Sequence, residues 1–152
     1  SDIIINVMNL TRNPDSKFYN VNYFSKEYLS KAKKGLVFIN VTRGDIAPES
    51  TLLELYDSGV ISGIGVDVFT DEATFSKILN KKAKITEKDN MAGKILLDRA
   101  LSRTDNIYVQ PHQGFNSDVA AIAKARETIK HLEAWYANKK ACFDEQLPYY
   151  EG

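Results

Sequence analysis

Four short runs of aliphatic and β-branched residues, separated by helical patterns, constrain this chain more than any other feature. They are "IIINV" (3 to 7), "LVFINV" (36 to 41), "GIGVDVF" (63 to 69) and "IYVQ" (107 to 110). Each is bounded by turn-forming residues, as expected of a buried strand. In "FSKEYLSKAKK", between the first two, Ser25 can cap a helix, Phe24 and Leu29 stand at hydrophobic-staple spacing, lysines crowd the end, and Gly35 stops it. "PESTLLELYDSG" follows the second run, with Pro48 at a helix start, Leu52, Leu53, Leu55 and Tyr56 on one side, and Gly59 at the stop. Strand alternating with helix predicts an α/β fold, an open parallel sheet built from right-handed crossovers.

The segment from 70 to 106 holds the lysine-rich "NKKAKITEKD" and a helical "ILLDRAL", and reads as an excursion with its own surface. "SDVAAIAKARETIKHLEAWYANKK" places Val119, Ile122, Ile129, Leu132 and Tyr136 at helical spacing behind a Ser117 cap, which predicts one long C-terminal helix. With 43% hydrophobic residues the 152-residue chain can build a core. Twenty basic and twenty acidic side chains cancel, which argues against nucleic acid or an anionic membrane as partner and favours a small ligand. One cysteine, Cys142, builds no disulfide framework, and no run reaches the roughly 20 apolar residues of a membrane span, so a cytoplasmic protein is expected. The opening "SDIIINV", without a methionine, reads as a piece of a longer chain, with the first strand left bare along one edge and ready to pair with another copy.

In an open parallel sheet, ligands bind beyond the C-terminal ends of the strands. Three runs end there on suggestive chemistry. Thr42, Arg43 and Gly44 follow the second, Asp71 and Glu72 follow the third with Asp67 inside it, and Pro111, His112, Gln113 and Gly114 follow the fourth. An arginine grips a carboxylate with two parallel hydrogen bonds, a histidine moves a proton near neutral pH, and a glutamate beside it stabilises the imidazolium. Together they outline a site for a 2-hydroxy acid. The same residues admit plainer roles: a surface ion pair for Arg43, a solvated loop position for Glu72, a hydrogen-bonded turn for His112, and a structural or surface place for His131. Asp67 is harder to dismiss, because a charge within an apolar strand needs a partner. A metal held by Asp67, Glu72 and His112 lacks the short ligand spacing of such sites.

"NVTRGDIAPESTLLELYDSGVISGIGVDVFTDE" followed by "NIYVQPHQG" resembles the second half of the nucleotide-binding domain of the D-isomer-specific 2-hydroxyacid dehydrogenases. That family carries an asparagine, two residues and Arg-Gly after one strand, a Gly-x-x-x-Asp-Val-Phe segment leading to Glu, and a Pro-His pair after the next strand. The resemblance covers most of residues 1 to 138, with the stretch from 73 to 105 longer than the pattern. It departs at Ala73 and near Asn9, where the family usually has proline. The resemblance implies a partial Rossmann-type parallel sheet, the second half of a doubly wound domain, over 1–116. It implies a crossing helix and a tail, "ACFDEQLPYYEG", toward the substrate domain over 117–152.

It further implies catalytic roles for three residues: Arg43 on the substrate carboxylate, His112 as acid and base, and Glu72 as its charge partner. Asp67 would meet the nicotinamide carboxamide, and the backbone around Val41, Thr42 and Gly114 would line the cofactor, NAD, with NADP left open. The Gly-x-Gly-x-x-Gly turn that holds the pyrophosphate does not occur in the sequence. The expected activity is therefore that of a parent NAD-dependent oxidoreductase, a homodimer, of which this fragment alone is inactive. The alternative is a non-catalytic dehydrogenase-like protein, a dinucleotide sensor or an interaction module, with the 73–105 segment as its contact surface.

Overall fold

The computed structural model describes residues 1–114 and 116–137. Four strands, β1 (Ile3–Asn6), β2 (Leu36–Asn40), β3 (Ile61–Val66) and β4 (Ile107–Val109), form one sheet in that spatial order. Every neighbouring pair is parallel. Helices α1 (Lys26–Leu29), α2 (Glu49–Asp57), α3 (Glu72–Leu79), α4 (Lys88–Ser102) and α5 (Asp118–Ala137) alternate with them as the sequence pattern requires. The register is what positions the site. Asn6 stands opposite Asn40, Asn40 opposite Val66, and Val66 opposite Val109, so all four strands stop at one level and their loops leave the sheet side by side.

Residues Ser1–His112 pack as one compact unit. Its core joins Leu36 and Phe38 of β2, Ile61 and Ile64 of β3, Leu52 and Leu55 of α2, and Leu96 of α4. Phe38, Leu52 and Leu96 are fully buried, and each such side chain contributes roughly 2 to 3 kcal/mol through the apolar surface it hides. Burial alternates along β2, with Leu36, Phe38 and Asn40 fully inside and Val37 and Ile39 partly covered. The staple forms as predicted: Phe24 and Leu29 are both buried, and Ser25 accepts the Tyr28 N–H.

The bare edge expected of "IIINV" is there: β1 has one neighbour only among the described strands, and Ile3 and Ile5 stay about half exposed. Other expectations are corrected. The helix expected over "FSKEYLSKAKK" is a single turn, because Leu29 is its one buried residue and the chain must then turn to start β2. Asp67 lies one residue past β3 rather than within it, though its N–H still donates to the Asn40 carbonyl at 3.0 Å. The 70–106 segment is not an excursion with its own surface. It is a crossover carrying α3 and α4, and α4 packs against α2 and β4 with Ala92 and Leu96 turned inward.

From Gln113 onward the chain groups as a second unit, whose described element is α5. The long helix forms as predicted, and the Ser117 hydroxyl accepts the Ala120 N–H at 3.2 Å. Val119, Ile122, Ile129, Leu132 and Tyr136 are all exposed in this chain. The tail "ACFDEQLPYYEG" lies outside the described residues. Among the described residues no helix is long and apolar enough to cross a membrane.

Candidate active site

Two buried asparagines finish the first two strands, and their amides shape the loop that carries Arg43. Asn6 Nδ2 donates to Asn40 Oδ1 and to Thr42 Oγ1, both at 2.9 Å. Asn40 Nδ2 in turn donates to the Arg43 carbonyl at 3.0 Å, and Thr42 N–H donates to Asn40 Oδ1 at 3.3 Å. A polar group this deeply buried costs free energy unless it is bonded, so the network fixes the turn as well as satisfying itself. Val41 and Arg43 are left exposed and Thr42 half-buried. Arg43 Nη1 reaches back to the Thr42 carbonyl at 2.7 Å.

At the other side of the sheet the loops after β3 and β4 bring Glu72 and His112 together. Glu72 opens α3 behind Asp71, whose side chain caps the helix by accepting the Thr74 N–H. Its Oε2 lies 2.9 Å from His112 Nδ1, and its Oε1 accepts the Phe69 N–H at 3.3 Å. The imidazole is thus held through one nitrogen by a carboxylate that is itself anchored. The backbone of His112 is anchored too: its N–H donates to the Asp67 carbonyl at 2.7 Å, with φ at +54° in the left-handed region. Both side chains keep between a third and a half of their surface accessible, at 36% for His112 and 42% for Glu72, which leaves room for a small molecule.

A pocket of about 410 Å³ opens beside this pair. Phe69, Phe75, Leu79 and Leu97 give it apolar walls, while Asp67, Glu72 and His112, with Ser76, Asn80 and Gln110, supply polar groups. The mixture suits an apolar substituent next to a reacting polar centre. Asp67 is buried at its edge. Arg43 leaves the sheet on the same edge, two strands away from His112, and does not line this pocket. Gly114 falls in the second unit. Among the described residues no cluster of three metal-ligating side chains exists.

Between the Arg43 turn and the Glu72 turn lies a group the sequence pattern did not single out. Glu49, the first residue of α2, is 2% accessible, and its Oε1 accepts the Thr70 N–H at 2.7 Å. Burial pushes its carboxyl up from the ordinary 4.5 to about 7, against the lowering effect of its hydrogen bonds, and the nearby Asp89 charge adds to the rise. The two turns touch here. A Cβ on Gly44 would lie 2.1 Å from Thr70 N and 2.8 Å from Glu49 Oε1, so glycine is the residue that lets the loops close. The signals were an asparagine ending a β-branched run and a glutamate at a helix start, both usual enough at the surface to carry no weight alone.

Comparison with known proteins shows the family. The family described as the D-isomer specific 2-hydroxyacid dehydrogenase NAD binding domain matches residues 1–114. A glycerate dehydrogenase of Methylorubrum extorquens is 32% identical over 139 residues, which is 91% of this chain and 36% of that protein. A D-lactate dehydrogenase of Staphylococcus epidermidis is 33% identical over 97 residues, 64% of this chain and 27% of its own length. Among solved structures, a D-lactate dehydrogenase from Aquifex aeolicus complexed with NAD and lactic acid superposes with a TM-score of 0.70 at 28% identity, covering 91% of this chain and 38% of that one. The structure of a D-2-hydroxyisocaproate dehydrogenase gives 0.73 at 18% identity, covering 94% of this chain and 39% of that chain, a likeness of fold alone. The chain spans roughly a third of the length of these relatives. A parallel sheet ending at one level, a histidine–glutamate pair on its rim and a family match over three-quarters of the residues agree, and the chain belongs to the NAD-binding domain family of the D-isomer specific 2-hydroxyacid dehydrogenases.

Proposed function

We propose that this chain is part of an NAD-dependent dehydrogenase that interconverts a D-2-hydroxy acid and its 2-oxo acid. The observation that carries the reading is the 2.9 Å contact between His112 Nδ1 and Glu72 Oε2 at the C-terminal edge of the sheet. A carboxylate on Nδ1 fixes the orientation of the ring, which is what a proton donor to a bound oxo group needs. His112 then gives a proton to the oxo oxygen through Nε2 in reduction, and takes it back in oxidation. Arg43 binds the substrate carboxylate through its planar fork once its side chain turns away from the Thr42 carbonyl. NAD supplies the hydride donor or acceptor at C2 when bound.

The residues present fit the nicotinamide end of that cofactor. Val41 is exposed at the rim and Thr42 is half-buried beside the asparagine network, while the buried Asp67 borders the pocket that Glu72 and His112 also line. No Gly-x-Gly-x-x-Gly turn for the pyrophosphate occurs in the 152 residues, so tight binding of the whole dinucleotide requires the rest of the domain. The parent protein is read as a cytoplasmic homodimer, a reading supported by the single cysteine and by the apolar stripe exposed on α5. The sensor alternative relied on a free surface over 73–105, and the inward packing of α4 weighs against it.

The test is reduction of a panel of 2-oxo acids by the intact protein with NADH, followed as loss of absorbance, beside the variants His112→Ala and Arg43→Lys. Turnover in the wild type, abolished by the first and strongly reduced by the second, is the expected result. No turnover with any 2-oxo acid would refute the reading.

A further inference from the structure

We infer that Glu49 is a positioning residue of this site, a strut wedged between the turn that carries Arg43 and the turn that carries Glu72; the inference rests on the dehydrogenase reading above. Carboxylates are almost never fully buried without a partner that repays their lost hydration. Glu49 is buried, its Oε2 has no hydrogen-bond partner among the described residues, and the charge it feels from α4, that of Asp89, has its own sign. A leucine would suit a position that only fills space. What glutamate supplies is an acceptor oxygen at the end of a long side chain. From the base of α2 its Oε1 takes the Thr70 N–H at 2.7 Å, two residues ahead of Glu72.

From there the contacts run without a break to the reacting ring. The Phe69 N–H, adjacent to Thr70, binds Glu72 Oε1 at 3.3 Å, and Glu72 Oε2 binds His112 Nδ1 at 2.9 Å. On its other flank Glu49 meets Gly44, whose missing side chain is the space that Glu49 Oε1 and the Thr70 and Phe69 backbone occupy. Gly44 follows Arg43 directly. The carboxylate therefore sets the distance between the arginine's turn and the histidine's partner, two groups that must act on one small molecule at once. The proton-bearing state of Glu49 is free to vary with pH, but the strut depends on Oε1 as an acceptor, which both states provide.

The experiment uses the intact protein with Glu49→Met, which keeps the volume and removes the acceptor, and Glu49→Gln, which restores an acceptor oxygen. Steady-state reduction of a 2-oxo acid is measured, and the ring signals of His112 are followed by NMR. E49M is expected to lose about tenfold in kcat, raise KM for the oxo acid, and displace the His112 ring signals from their wild-type positions. E49Q is expected to recover most of these losses. A folded E49M whose ring signals, kcat and KM all match the wild type overturns the proposal, as does E49Q failing as badly as E49M. If E49M does not fold, Glu49→Asp, which draws the oxygen back by one methylene, is expected to give the same shifts in milder form, and unchanged values there overturn it equally. A wild type that reduces no 2-oxo acid while the ring signals still respond to E49M refutes the dehydrogenase reading and supports the strut.

Discussion

Replacing Glu49 by glutamine should change how stability depends on pH, by an amount that the burial of one carboxyl sets. Desolvation is the main cause of its rise from 4.5 to about 7 in the folded chain, with the Thr70 hydrogen bonds opposing. A raised carboxyl means that the folded protein keeps a proton which the unfolded chain has already released. Its contribution to stability is fully present below about pH 4.5 and is lost as pH climbs through about 7. At 1.36 kcal/mol for each tenfold change in proton affinity, the whole effect is roughly 3 kcal/mol, most of it between pH 5 and pH 8. Glutamine cannot ionise, so the variant lacks this dependence, and all other titrating groups cancel in the comparison. Urea unfolding of wild type and E49Q at pH 5, 6, 7 and 8 measures it. Wild-type stability minus variant stability should fall by roughly 2 to 3 kcal/mol across that range. In thermal scans the same change is about 5 to 10 °C for a domain of this size. A gap that stays constant within about 0.5 kcal/mol would mean that Glu49 is not desolvated in the folded protein, and the reasoning would fail.

Other expectations follow from the same contacts. Gly44→Ala pushes a methyl group against the backbone of Phe69 and Thr70, so it should destabilise the protein by about 3 kcal/mol or more, seen as a lower urea midpoint. Wild-type stability in G44A would show that the two turns are not in contact. Arg43→Lys should lower kcat/KM for 2-oxo acids by about a hundredfold, because an ammonium cannot reproduce the two-point grip on a carboxylate. Near-normal kinetics would remove Arg43 from the substrate site. Glu72→Gln should lower kcat for oxo-acid reduction, since the carboxylate that holds the His112 ring through Nδ1 is replaced by an amide. An unaltered kcat would mean that the 2.9 Å contact is not made during turnover.

Much of this molecule was legible before its coordinates. The four apolar runs gave β1 to β4 within a few residues, because a β-branched run between turn residues has few other uses. The staple at Phe24 and Leu29 and the Ser117 cap were readable because capping depends on neighbours in sequence. What depended on distant partners was not readable. Asp67 sits past the end of β3 because the ladder there is decided by Asn40 on β2, and α4 lies inward because β4 must be reached by a covered crossover. In the site, the Glu72–His112 pair was visible from strand-end chemistry, since both residues follow adjacent parallel strands. Glu49 was hidden for a physical reason. A glutamate at the first turn of a helix is ordinarily a solvated residue favoured by the dipole, and nothing local reveals that another loop closes over it.

His112 takes φ at +54°, a conformation that costs a side chain with a Cβ on the order of 1 kcal/mol and costs glycine almost nothing. Asp71, which caps the helix opened by Glu72, is held the same way at +46°. In each of the two loops that build the rim, the chain would therefore relax if chemistry were no concern. A population selected only for heat resistance should collect glycine or asparagine at position 112 early, gaining stability while the proton donor disappears. A population selected for turnover should keep the strained histidine and accumulate its compensating substitutions elsewhere, in the apolar wall of Phe69, Phe75 and Leu97 that backs it. The positions where those two lineages part would trace the border between the scaffold and the working part of the molecule.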